Sequence, residues 1–292
     1  MKIINKKKHV VKWIVRAVLF VFIALIIIDN VTIHTTLTRV PVKDLPRSFE
    51  GYRIVQVSDL HNNLYGINQA YLLGKIKAAR PDAIVITGDL VDRNTTNVSN
   101  AMKFINGAVS IAPVFYVSGN HEASIGKQYV ELVLRMNEAG VTFLDNDAVS
   151  VISEDDVIII AGVRDPAFDW SRTDAQIVDD EIKKALAEVS GKQVTVLLSH
   201  RPELIKTYSA NDVDLVLTGH AHGGQVRLPF IGPVYSPSQG LFPKYTSGLY
   251  EEGNTKMYVS RGIGNGIAPL RFNDGPELAV IVLEKETEAA ED

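Results

Sequence analysis

The chain has 292 residues, 46% hydrophobic and 22% charged, which excludes a wholly disordered or collagen-like polymer and allows a sizeable packed core. It holds 0 cysteines, which excludes a disulfide framework, a thiolate metal site and a cysteine nucleophile. The net charge of -4 is uneven, because Lys2, Lys6, Lys7, Lys8, Lys12 and Arg16 face only Asp29 within residues 1–30; the remainder carries 24 bases and 33 acids, a net of −9, and so no nucleic acid partner is expected.

Residues 1–30 read as a basic cytoplasmic end followed by a membrane anchor. The run Ala17–Ile28 (AVLFVFIALIII), with the flanking Val10–Val15 stretch, approaches the ~20 residues that cross a bilayer. Arg16 interrupts the run near its basic end, where a long side chain reaches the headgroups. Positive flanks stay cytoplasmic, which puts the bulk of the chain on the extracytoplasmic side of the cell membrane as a single-pass protein. A cleaved signal peptide is the competing reading, but no small-x-small cleavage site follows Ile28.

Residues 31–50 are polar and β-branched with Pro41 and Pro46, and read as a linker and first edge strand. Short Val/Ile-rich runs then recur at Arg53–Val57, Ala83–Thr87, Val114–Val117, Val157–Ala161, Val194–Leu198, Asp214–Leu217, Met257–Ser260 and Leu278–Leu283. Such continuous runs are those of strands buried on both faces. Helical periodicity separates several of them, at Gln69–Arg80, Lys127–Ala139 and Asp174–Ser190, with Gly140 and Gly191 as stop signals. Residues 51–285 therefore read as one α/β catalytic domain. Within it Gly223–Lys256 differs, its prolines and glycines surrounding Phe230, Tyr235, Phe242, Tyr245 and Tyr250, which suits irregular hairpins lining a substrate cleft or packing on a sheet edge. Residues 286–292 form an acidic, solvated tail.

The strand runs end in a particular set of polar residues: Ser58-Asp59-Leu60-His61, Gly88-Asp89, Gly119-Asn120-His121-Glu122, Ser199-His200 and Gly219-His220-Ala221-His222. Five of the seven histidines fall in these sites. Strand ends are where ligands bind in α/β sheets. Asp, Asn and His are the donors suited to Mn, Fe or Zn, and a shared carboxylate bridges two such cations about 3.5–4 Å apart. Taken singly, each has an ordinary explanation: Asp89 as a turn former, Asn120 as a left-handed residue beside Gly119, His200 as a satisfied core histidine. Their joint occurrence favours a dinuclear site.

The ordered string D-x-H, GD, GNH(E/D), H and G-H-x-H, running from Asp59 to His222, resembles the calcineurin-like metallophosphoesterase superfamily over about residues 50–283. The anchored N-terminus and the SRGIGNGIAPLRF segment are similar to the bacterial membrane-bound branch related to UDP-diacylglucosamine hydrolases. The resemblance implies an αββα sandwich of two mixed sheets behind the transmembrane helix. It implies one metal on Asp59, His61, Asp89 and His222, a second on Asp89, Asn120, His200 and His220, and His121 as the acid facing the leaving group. Two cations lower the pKa of a bridging water, whose hydroxide attacks phosphorus in line. The expected activity is hydrolysis of a phosphate mono- or diester, with a lipid-linked or nucleotide-sugar substrate favoured, a phosphoprotein or nucleotide as the alternative, and a non-catalytic scaffold disfavoured by the intact ligand set. Arg164, Arg201, Arg227 and Gln225 are weaker candidates for phosphate contacts, structural roles being at least as natural for them.

Overall fold

The structure, a computed structural model, describes residues 2–94, 97–266 and 270–286, so residues 287–292 of the acidic tail lie outside it. Helix α1 (Lys2–Val31) opens the chain. Its Lys12–Val31 portion has a mean hydropathy of 2.5 and is long and apolar enough to cross a membrane. Side chains such as Trp13, Val18 and Phe20 are left uncovered by protein.

Twelve strands build two sheets. Strands β1 (His34–Val42), β2 (Arg53–Val57), β3 (Ala83–Thr87), β4 (Val114–Val117) and β5 (Thr142–Phe143) come first. They are followed by β6 (Asp147–Ser153), β7 (Asp156–Gly162), β8 (Thr195–Leu198) and β9 (Leu215–Thr218). Four two-residue strands, β10 (Arg227–Leu228), β11 (Gly232–Pro233), β12 (Tyr235–Ser236) and β13 (Gly240–Leu241), form two small hairpins. The chain ends on β14 (Gly248–Glu252), β15 (Thr255–Val259) and β16 (Glu277–Lys285).

The first sheet has the order β1-β16-β2-β3-β4-β5 and the second β14-β15-β9-β8-β7-β6. Both are mixed: β2 to β5 run parallel with β16 antiparallel to β2, and β7, β8, β9 and β15 run parallel between the antiparallel edges β6 and β14. The lead-in segment is thus part of the sheet, since β1 pairs with β16 along its whole length.

Burial on both strand faces explains the unbroken apolar runs. Ile54, Val85, Val117, Ile281, Ile160, Leu198 and Leu217 pack in one core shared by the two sheets. The opposite face of the first sheet, with Val55, Val57, Ile84 and Ile86, is covered by α2 (Ala70–Ala79), α3 (Ser99–Ala108) and α4 (Lys127–Ala139). The second sheet is covered by α5 (Asp174–Ala185) and α6 (Ile205–Ala210) through Val178, Ile182, Ile205 and Tyr208. The result is the expected αββα sandwich. Gln56, turned toward the shared core, ties the sheets together by donating to Thr87 Oγ1 and to the Thr218 carbonyl, each at 2.8 Å.

Two helices differ from the periodicity reading. A capping box of Thr173 and Gln176 starts α5, yet the helix ends at Ala185 rather than Ser190, because three-residue turn bonds (Ala187 N–H to Lys184, Val189 N–H to Leu186) take over. Helix α3 carries its apolar set at Ala101, Met102, Phe104, Ile105 and Ala108, but Ser99, Asn100, Asn106 and Gly107 are weak helix formers that hide it. Gly107 allows close packing there: a Cβ would lie 2.2 Å from Leu73 Cδ1 of α2 and would force that side chain to move.

Phe104 is fully buried between α3 and the first sheet. We expect Phe104→Ala to lower the unfolding free energy by about 3–5 kcal/mol, measured by denaturant titration of the full chain in detergent with metal chelated. A loss below about 0.5 kcal/mol, the range of ordinary surface substitutions, contradicts this packing.

Candidate functional site

Five parallel strands deliver the polar residues to one place. Asp59 and His61 follow β2, Asp89 follows β3, Asn120 and His121 follow β4, His200 follows β8, and His220 and His222 follow β9. Both sheets therefore contribute. Asp59, His61, Asp89, His220 and His222 all have φ between 47° and 64°. A left-handed conformation costs a non-glycine residue about 1–2 kcal/mol. It turns each side chain off the end of its strand into the common centre. Asn120 is not among the positive-φ residues, so its ordinary reading as a left-handed turn residue is set aside.

All eight expected site residues converge, and all but Asn120 and His121 are buried. Around one point, His61 Nε2 lies 3.2 Å from His222 Nε2, 4.0 Å from Asp59 Oδ1 and 3.8 Å from Asp89 Oδ2, and His222 Nε2 is 3.5 Å from Asp59 Oδ1. Around a second, His200 Nε2 lies 3.1 Å from Asn120 Oδ1, 3.1 Å from His220 Nδ1 and 3.4 Å from Asp89 Oδ2. Asp89 Oδ2 belongs to both groups. Its other oxygen is engaged, accepting the His121 N–H at 2.8 Å.

The neighbours of the rings decide which nitrogen is bared. The Thr87 carbonyl, 2.7 Å from His200 Nδ1, can only accept, so Nδ1 carries a proton and Nε2 faces the centre. The Ser238 hydroxyl at 3.1 Å engages His220 Nε2, leaving Nδ1 for the centre. Oxygen and nitrogen atoms of Asp, Asn and His thus gather at 3–4 Å around two points, close enough for cations to bridge them. The donor set fits Mn, Fe or Zn.

Burial and the Asp89–His200 pair dominate the electrostatics. Burial alone would raise Asp89, but the neighbouring His200, His121 and His61 outweigh it and hold the carboxyl well below its usual range. Against burial, Asp89 pushes His200 up to about 10. Burial lowers His61 to about 4 and holds His220 and His222 well below the usual imidazole range. Asp59 is pushed up to about 6 by burial, opposed by His200.

His121 sits at the rim. Its Nε2 is 3.7 Å from Asp89 Oδ2, and its Nδ1 accepts the Arg93 N–H at 3.0 Å with Asp92 Oδ2 at 3.4 Å. Asp92 and Arg93 escape the motif reading, although their place just after Gly88-Asp89 in the same loop is a usable signal. Glu122 braces two of the loops by accepting from the N–H groups of Asp89, Val91 and Gly119 at 2.9, 3.1 and 2.7 Å. Arg271 is also missed: fully buried, it donates to the Gly264 and Arg261 carbonyls and reaches 3.2 Å from His222 Nδ1. Glycines let the backbone close in. A Cβ on Gly88 would stand 2.6 Å from His200 Nδ1, and one on Gly266 would stand 2.7 Å from His222 Nε2.

The weaker candidates divide. Arg201 is held by Asp165 through Nε and Nη2 at 2.7 and 2.9 Å, and donates to Ser238 at 2.8 Å, a structural pairing. Arg164 pairs with Glu181 at 3.4 Å and lies over the Phe168 ring. Arg227 donates to the Gly223 carbonyl. Gln225 is buried, its φ of 52° close behind His222. The aromatics of Gly223–Lys256 divide too: Tyr245 and Tyr250 meet each other edge to face and pack against the core of the second sheet, whereas Phe230 and Phe242 project into solvent.

Removing the brace should be costly. Glu122→Ala strands three buried N–H groups, each worth about 1–3 kcal/mol, and should lower the melting temperature and metal content together. Glu122→Gln, which keeps the shape and one of the two accepting oxygens, should lose less. Equal melting temperatures for the alanine variant and the parent contradict the bracing role.

Comparison with known proteins agrees with this geometry. A family model described as Calcineurin-like phosphoesterase matches residues 52–224. The uncharacterized metallophosphoesterase YkuE of Bacillus subtilis is 30% identical over 260 residues, 86% of each chain. The phosphodiesterase YaeI of Escherichia coli is 27% identical over 238 residues, 80% of this chain and 82% of that one. A bovine transmembrane protein with metallophosphoesterase domain is 29% identical over 262 residues, 85% of this chain and 56% of the bovine protein. With more than half its length matched by the family model and its acceptor residues gathered at the strand ends, the chain belongs to the calcineurin-like phosphoesterases and is a metal-dependent phosphoester hydrolase.

Proposed function

We propose that the enzyme hydrolyses a phosphate mono- or diester at a dinuclear centre in which Asp59, His61, Asp89 and His222 hold one divalent cation and Asp89, Asn120, His200 and His220 hold the other. The observation that carries this reading is the position of Asp89 Oδ2, within 3.8 Å of His61 Nε2 and 3.4 Å of His200 Nε2. Bound there, two cations supply an activated water and neutralise charge on the phosphoryl oxygens.

The chain's own groups do the rest. The His121 N–H fixes the Asp89 carboxylate so that a single oxygen is shared. His121, its Nε2 3.7 Å from Asp89 Oδ2 and accepting from Arg93 Nε at 3.3 Å, protonates the departing alkoxide; burial lowers its pKa, Asp89 and then Asp92 oppose that shift, and Arg93 adds to it. Ser238 holds the His220 ring from the far side.

The substrate we infer is a lipid-linked or nucleotide-sugar phosphate met at the membrane surface. Helix α1 anchors the chain, and the Lys6-Lys7-Lys8 flank keeps its basic end cytoplasmic, leaving the catalytic domain extracytoplasmic. The solvent-facing Phe230 and Phe242, in the segment that follows His222, suit an amphiphile better than a small soluble ester.

Two variants test the assignment in the full chain. Asp89→Asn should lose both metals, by elemental analysis, together with turnover; retention of two metals at near-normal activity overturns the shared-ligand role. His121→Ala should keep its metals and lose about 10²–10⁴ in rate on alkyl phosphates, and much less on activated aryl phosphates, which need little protonation. Equal losses on both ester types exclude the acid role.

A further inference from the structure

Helix α1 does not simply lead into the catalytic domain; it is joined to it side by side. The Asn30 side chain donates to the Arg271 carbonyl at 2.8 Å and accepts the Arg271 N–H at 2.7 Å. The Phe272 ring meets Phe22 with centroids 6.0 Å apart. Phe22 lies two turns before Asn30, about 12 Å deeper along the apolar helix at 1.5 Å per residue. Part of the domain surface therefore lies level with the span, not beyond it.

From that contact a ladder of backbone bonds leads outward. Phe272 bridges Val226, the Val234 N–H donates to the Val226 carbonyl, and the Phe242 N–H donates to the Val234 carbonyl. Along this ladder the chain exposes apolar groups. Phe230 is fully exposed and Ile231 is 60% exposed at the tip of the β10–β11 hairpin, Leu241 and Phe242 are 70% and 68% exposed at the end of the next, and Leu270, two residues before Phe272, is 53% exposed. Phe230 and Phe242 have φ of 67° and 53°, positions that Gly or Asn would fill with less strain.

Charge points the same way. No Asp or Glu occurs from Gly223 to Tyr250, although the chain is acidic overall, and Arg227 and Lys244 are the charges in the segment. Scattered exposed apolar residues are ordinary, but a cluster on turn tips, free of anions and adjoining an apolar helix, matches a surface that meets anionic headgroups and acyl chains.

We propose that the tips Leu228–Ile231 and Leu241–Phe242, together with Leu270, embed in the leaflet of the bilayer that α1 crosses, so that the catalytic domain is seated on the membrane with its metal cleft at headgroup level. The inference rests on the reading of α1 as a membrane span. It does not rest on the identity of the substrate.

Because the chain has no cysteine, single substitutions give unique labelling sites. Full-length Phe230→Cys, Phe242→Cys, Val18→Cys in α1 and Ile152→Cys on the exposed edge strand β6 would carry an environment-sensitive fluorophore. Each is reconstituted in vesicles of phosphatidylcholine and phosphatidylglycerol containing a nitroxide-labelled lipid. The expected result is severalfold quenching at positions 18, 230 and 242 and none at 152. Quenching at 18 with 230 and 242 behaving like 152 overturns the seating and leaves the anchor intact. No quenching at 18 removes the anchor and the seating with it. Cross-linking of Phe230→Cys between copies, without lipid quenching, identifies the face as a contact between two copies and also overturns the proposal.

Discussion

The site depends on an unfavourable arrangement: two carboxylates and four imidazoles, Asp59, Asp89, His61, His200, His220 and His222, are buried in one small space. Asp89 Oδ2, His61 Nε2, His200 Nε2 and, one step away, His222 Nε2, Asn120 Oδ1 and His220 Nδ1 crowd together, each within 3–4 Å of another. Taking so many ionisable groups out of water is costly. Five of the contributing residues also carry left-handed backbone. The rest of the fold has to overdetermine this geometry, which is how strain persists in a native state.

Several features of the fold answer that demand. Parallel strands from two sheets end at the same level, and Gln56 links the ends of β3 and β9 across the shared core. Glu122 ties the loop after β3 to the loop after β4. On the second sheet, the Asp165–Arg201–Ser238 chain reaches His220 from outside. Each connection uses a buried polar side chain outside the centre, so the loops that carry the site residues are held from behind.

Much of this was legible in the chain because two strong signals coincide. Strands buried on both faces give unbroken Val/Ile runs, and all eight such runs are strands in the structure. Asp and His immediately after those runs can only lie at strand ends. What escaped reading has no local signature. Arg271 matters because it stands behind His222, forty-nine residues earlier in the chain, and Ser238 because it meets His220 across a hairpin. Asp92 was closer to hand, in the loop that already supplied Asp89. Helix α3 was hidden by its Asn and Gly residues, although tertiary packing against α2 fixes it, and β5 is too short to show a pattern. The arginines show the opposite limit: a guanidinium suited to phosphate and one suited to a buried carboxylate look identical until Asp165 is seen opposite Arg201.

Arg271 also carries the least expected link in the molecule. Its guanidinium contacts His222 and the carbonyls of the glycine-rich turn, while its backbone N–H and carbonyl are both taken by the Asn30 side chain of α1. Asn30 also bonds the Ile26 carbonyl of its own helix, so the amide is fully committed. A buried arginine that packs against a site residue and is gripped by a helix end fixes the orientation of one relative to the other. A tether that only kept an enzyme near a membrane would need no such contact, since a flexible linker does that at lower ordering cost. The rigid connection makes sense if the direction in which the cleft opens matters, as it does when the substrate arrives from one side.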